Sequence, residues 1–190
     1  MNETGSELVQ VQRDRIVHNW RRLTPESPYP HYEALRPSFS EDLTDFQAFL
    51  DEFGIGKFNP YQCELTYINP IPLGRGIDRL GELERLLAPW SGSFTDDFLS
   101  EPESVAVVLR FPITDSSGGM VGRLHISAQP VQSQEDGTYA ILLQLVARGR
   151  PYDQSIEGIL RFLDLGHEWI VRGFVSITTD EMHRMWGRTR

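Results

Sequence analysis

Arg123, His125 and Ser127 alternate along one segment, so on a strand they share a face and set an imidazole beside a cation and a hydroxyl. That is the material of proton transfer, since histidine is the side chain that titrates near neutrality. A Ser-His-Asp hydrolase needs more. No serine sits in a glycine-flanked elbow, and a triad is defined by geometry. A structural or solvent-facing His125 is the simpler reading. The five histidines, His18, His31, His125, His167 and His183, never recur at a metal-ligand spacing, and His167 with Glu168 would need remote partners. No catalytic residue, metal or cofactor is therefore expected.

Two glycine-containing runs invite a phosphate reading. Ser116-Ser117-Gly118-Gly119 lacks the lysine and the following helix of a phosphate loop, and reads as a hairpin turn. Leu73-Gly74-Arg75-Gly76 precedes a helix expected over 77–87 and could offer backbone amides and an arginine to an anion. A denser candidate is LVQVQRDRIVHNWRR, from Leu8 to Arg22. Its Arg13, Asp14, Arg15, His18, Asn19, Trp20 and Arg21 could form a recognition surface, because Arg and Trp are enriched among interface anchors. A solvated strand with ordinary ion pairs accounts for the same residues.

The whole of the 190 residues is long enough to bury a continuous core as a single domain, with 1–7 as a polar leader. At 39% hydrophobic and 24% charged residues, the composition is that of a globular protein. A formal net charge of −9 argues against a general nucleic-acid coat, although Arg13, Arg15, Arg21 and Arg22, and Arg184, Arg188 and Arg190, are locally basic. The apolar run from Ala140 to Ala147 is far below the roughly 20 residues of a membrane span. No secretory layout opens the chain, so a cytoplasmic location is the default expectation. Cys63, alone of its kind, alternates with Tyr61, Leu65 and Tyr67 and is expected as a buried, inert thiol.

The elements follow from periodicity. Leu8 to Trp20 reads as one long strand or two short ones turning near Arg13-Asp14, followed by a loop holding Pro25, Pro28 and Pro30. Leu35, Phe39, Leu43, Phe46, Phe49, Leu50 and Phe53 recur at helical spacing. The expectation is a helix over 38–53, divided from an initial turn by Pro37, boxed by Ser38 and Glu41 and stopped at Gly54. Residues 61–69 predict a strand ended by Asn69, Pro70 and Pro72, and 77–87 a helix presenting Leu80, Leu83, Leu86 and Leu87. Loop follows over 90–102. Strands over 104–111, 119–128 and 138–147, with turns at 115–118 and at Glu135-Asp136-Gly137, predict an antiparallel meander. Met120, Gly122, Leu124, Ile126 and Ala128 take one face of its middle strand, and Val121, Arg123, His125 and Ser127 the other.

Asp153 should cap a long helix with an apolar face of Ile156, Ile159, Leu160, Leu163, Trp169, Ile170, Val171 and Phe174. Thr178 with Glu181 should open a short last helix that carries His183, Met185 and Trp186. The fold class is α+β: an antiparallel sheet with helices packed on one face, the long C-terminal helix among them.

The segment LVQVQRDRIVHNWRR, with Gln10, Asp14, Asn19, Trp20 and Arg21, together with YPHYEALRPSF and the ELTYINPI strand, resembles the sporadTIGR family of sporadically distributed bacterial proteins of unknown function. The resemblance covers most of the chain. Members usually carry further strands before the point matching Leu8, which implies a short or truncated member, and the family supplies no catalytic residue. Its patchy distribution implies an accessory role in defence or toxin control.

The leading functional expectation is a non-enzymatic module that binds an unidentified protein partner through the Arg13 to Arg22 surface, antitoxin-like or immunity-like in a defence context. The alternative is a small-molecule binder, since a curved sheet around a long helix, as in helix-grip folds, can leave an apolar cavity; Trp20, Phe111, Tyr139, Phe162 and Trp169 would line it. An unpaired strand edge over 8–12 would favour a homodimer.

Overall fold

The computed structural model of the protein describes residues 5–24, 27–134 and 136–188. Pro25, Glu135, Arg190 and residues 1–4 of the expected leader lie outside the described residues. The chain divides into two compact units, residues 1–61 with 151–161, and residues 62–150 with 162–190.

In the first unit, β1 (Glu7–Val11) and β2 (Ile16–Trp20) form an antiparallel two-stranded sheet. The break near Arg13-Asp14 resolves into two strands, in a register that sets Leu8 opposite Asn19 and Gln10 opposite Val17. Helix α1 runs unbroken from Tyr32 to Glu52 with Pro37 inside it. The division expected at Pro37 is therefore absent, and Ser38 and Glu41 are interior residues, not a capping box. Pro37 falls in the second turn, where its missing amide leaves only the Glu33 carbonyl without its helical donor. The stop at Gly54 is as expected: at φ +59 its amide donates to Asp51 O, while Ile55 N donates to Leu50 O, a Schellman closure.

The second unit is built on a four-stranded antiparallel sheet in the order β3-β6-β5-β4, with β3 Cys63–Pro72, β4 Val107–Thr114, β5 Met120–Gln132 and β6 Tyr139–Gly149. The antiparallel meander is as expected, although β4 lies three residues later than the 104–111 of the sequence reading and β5 runs on to Gln132. Pro70 and Pro72 do not end β3 but lie within it, opposite Leu142 and Ala140. They are tolerated because β3 is an edge, where an outward-facing residue has no ladder amide to lose. Pro112 lies on the other edge strand, β4, and Pro130 lies in β5 beyond the last β4 pair, Val107 with Ala128, so it too has a neighbour on one side only.

From Leu124 onward the expected faces of β5 hold: Leu124, Ile126 and Ala128 are buried, as are Ile141, Leu143, Leu145 and Ala147 of β6. At the start of the strand they do not, since Met120 is 59% exposed and Val121 packs against the core, next to the register shift between Ile113 and Thr114. Onto this face packs α3 (Ile156–Ile177), by way of its residues from Phe162 onward. Small residues set the approach. A Cβ on Gly166 would stand 3.0 Å from Ala147 Cβ, and one on Gly173 2.8 Å from Leu124 Cδ2. Phe162 is fully buried over Gly122 and Gly149, which face each other across β5 and β6.

Four expectations about the helices change. The 77–87 helix contracts to α2 (Leu83–Leu86), yet Ile77, Leu83, Leu86 and Leu87 are still buried. The cap of α3 is Ser155, whose Oγ accepts from Gly158 N (2.9 Å), while Asp153 accepts from Ser155 N. Gly158 is required there, because a Cβ would stand 2.7 Å from the Asp153 carbonyl oxygen. The last helix, α4 (Asp180–Met185), is capped by Thr179, not Thr178. On α3, Val171 leaves the apolar face and is exposed, whereas Phe162 and Ile177 join the core.

Candidate functional site

The seven residues of the Arg13 to Arg21 surface do not share one face. Arg13, Asp14 and Arg15 occupy the hairpin turn, where Arg15 donates to Asp14 (3.0 and 2.9 Å). His18 points the other way: its side chain is 8% exposed, and its Nδ1 donates to Asp42 Oδ2 of α1 (2.6 Å). A carboxylate accepts only, so it fixes the imidazole with Nδ1 protonated. Nε2 is buried without a hydrogen-bond partner, 3.9 Å from a Glu7 carboxylate oxygen. Trp20, on the same side of β2, stacks edge-on against Tyr29. Asn19 faces outward and donates to Gln10 (3.3 Å), and with Arg21, Leu8, Gly5 and Ser6 it lines a shallow hollow.

Asp180, His183 and Thr178 superficially align as a carboxylate, an imidazole and a hydroxyl. Their polarity is wrong for nucleophilic catalysis. Thr178 is buried and its hydroxyl donates to Phe174 O (2.6 Å), so at His183 Nε2 (2.6 Å) it accepts. An activated hydroxyl must aim its proton at the imidazole. The trio fixes the junction of α3 and α4. His167 bonds Tyr67 (2.9 Å), and the neighbouring Glu168 accepts from Arg172 (2.6 Å), so the two do not converge. Among the described residues, no group of three His, Cys, Asp or Glu is placed to hold a metal.

Gly74 and Gly76 take positive φ in a tight turn, and Gly74 N donates to Ile77 O (2.8 Å). The helix expected to start there begins at Leu83, so the anion site imagined at Arg75 has neither a free Gly74 amide nor a helix end. The nearby hollow lined by Arg79, Glu82, Glu84 and Glu101 holds its cation internally, since Arg79 pairs with Glu82 and Glu101.

The residues proposed for a cavity between sheet and helix are not gathered. Phe162 covers the Gly149 end of β6, whereas Tyr139 opens that strand ten residues earlier, about 33 Å away at strand rise. Phe111 and Tyr139 are 38% and 48% exposed, and Trp169 packs into the core.

Cys63 is buried as expected, although Tyr61 beside it is exposed. Burial pushes the thiol up to about 12, because a thiolate there would lose its hydration. The folded protein is expected to stay unlabelled by Ellman's reagent at about pH 8 and to react at once in urea. Rapid labelling of the native state would contradict this.

Arg123, His125 and Ser127 do share one face of β5, the face turned away from α3. The register adds what the sequence could not: Arg110 of β4 stands opposite His125, and Arg148 of β6 opposite Arg123. His125 is held below the usual imidazole range by burial first, then by the charges of Arg148, Arg110 and Arg123. An imidazole hemmed by cations is a poor base. The arrangement suits an anion better than a proton relay.

No family model matches the chain, and no curated protein or solved structure matches it either.

Proposed function

We propose that the protein is a non-enzymatic binding module that holds a protein partner on its first unit. The observation that carries this reading is the under-buried helix α1. Of its 21 residues only Leu43 is buried, and at its C-terminal end Phe49, Phe53 and Ile55 are 47%, 61% and 61% exposed. The Phe49 and Phe53 rings sit 4.8 Å apart, a contiguous apolar patch and not scattered side chains. Helices of globular proteins owe most of their stability to a covered apolar face, and uncovered patches mark interaction sites. Val9 and Val11 of β1 add exposed apolar surface on a hairpin whose sheet holds two strands. The accessory role in defence or toxin control that the sporadTIGR resemblance implies fits an antitoxin-like or immunity-like module, and a toxin or nuclease encoded beside it would support that role.

The test is affinity capture from the native host with wild type and with Phe49→Glu/Phe53→Glu. Both positions are exposed, so the variant should keep the wild-type circular dichroism. A stoichiometric protein retained by wild type and reduced at least roughly tenfold in the variant is the expected result. Retention of nothing by either, or equal retention by both, would set the reading aside. Light scattering on the purified chain separates a second copy from a different partner.

A further inference from the structure

The sheet face turned away from α3 carries a charge pattern that folding does not require. Two cross-strand pairs there are cationic or potentially so, Arg110 with His125 and Arg123 with Arg148. Residues directly opposite in an antiparallel pair have Cβ atoms about 5 Å apart, and like charges so placed are destabilising. Glu64 of β3, opposite Arg148, accepts from its Nε at 2.6 Å and neutralises that one guanidinium. Arg110 and Arg123 have no acidic partner among the described residues. In a chain with 27 acidic against 18 basic side chains, three arginines and a histidine on two adjacent rows of one sheet form a local reversal of charge.

We propose that Arg110, Arg123 and Arg148, with His125 among them, form a binding site for the phosphoryl group of a small molecule. Guanidinium forks match phosphate oxygens in pairs, and a dianion offers enough acceptors for several forks at once, where a carboxylate is filled by one. Nucleic acid is the less favoured ligand. Of the strand side chains on this face, only His125 is aromatic, and single-strand binders rely on several aromatic platforms for their bases.

The site carries its own pH dependence. The charged groups facing His125 are Arg110 of β4, Arg123 beside it on β5, Arg148 of β6 and, in the opposite sense, Glu64 of β3. Three of the four oppose its protonation. A bound dianion favours the protonated ring, so binding takes up a proton and tightens as the pH falls from about 8 to about 6.

The experiment is a titration of the full labelled chain with inorganic pyrophosphate at constant ionic strength, following the His125 ring signals by NMR. Expected are saturable shifts at His125, an upward move of its titration midpoint with ligand, and affinity at least roughly tenfold lower in Arg110→Gln/Arg123→Gln. These exposed substitutions remove repulsion, so the variant's thermal midpoint should equal or exceed wild type. Shifts reproduced by sodium chloride in place of pyrophosphate, equal affinity for citrate, or an unaltered response in the variant would overturn the proposal. Tighter binding of a single-stranded oligonucleotide, lost in the same variant, would replace it with a nucleic-acid surface.

Discussion

Phe162→Ala is expected to destabilise the second unit by about 3–5 kcal/mol, because the ring is wholly buried and the two glycines beneath it offer no side chain to fill the space. For a chain of this size each kcal/mol moves the thermal midpoint by roughly 2–4 °C, so a fall on the order of 10 °C should appear in a calorimetric scan. A fall of only a degree or two would mean that α3 settles onto the sheet and closes the gap. Phe162→Leu, retaining most of the volume, should lose much less.

Gly149→Ala tests the same contact from the opposite side and is expected to cost about 1–3 kcal/mol although it adds a single methyl group. That methyl would overlap both the Phe162 ring and the Val121 carbonyl oxygen, and the latter belongs to a sheet backbone that cannot move aside cheaply. Chemical denaturation of the two single variants and the double variant closes a cycle. The combined loss should be smaller than the sum, since removing the ring removes half of the overlap, while the carbonyl keeps the other half. Strict additivity would show that the glycine and the ring do not share a contact in solution.

What the sequence disclosed and what it withheld divide along a physical line. The faces of β5 from Leu124 onward, the apolar side of α3 and the Gly54 stop were legible because each depends on neighbours within a few residues. The prolines at 70 and 72 were misread because edge position in a sheet is not a local property. Leu80, Leu83, Leu86 and Leu87 suit a helix, but only four residues there are helical, since burial constrains the side chains and not the backbone that delivers them. Ser155 displaced Asp153 as the cap of α3, a choice between two competent side chains two residues apart. At the candidate site, Arg123, His125 and Ser127 were visible as a set, but Arg110 and Arg148 come from other strands. Only the register brings them to His125, and no spacing within one segment encodes it.

The distribution of proline has a consequence for how copies of this chain meet when crowded. In the four-stranded sheet each rim is interrupted: Pro70 and Pro72 on β3, Pro112 on β4, and Pro130 where β5 outruns its neighbour. A foreign strand laid along any of these rims finds gaps where amides should stand, so edge-to-edge growth into fibrils stalls. The hairpin of β1 and β2 contains no proline and exposes Val9 and Val11. Self-association through backbone pairing is thereby steered from the larger sheet toward the smaller, where each added strand finds an uninterrupted ladder.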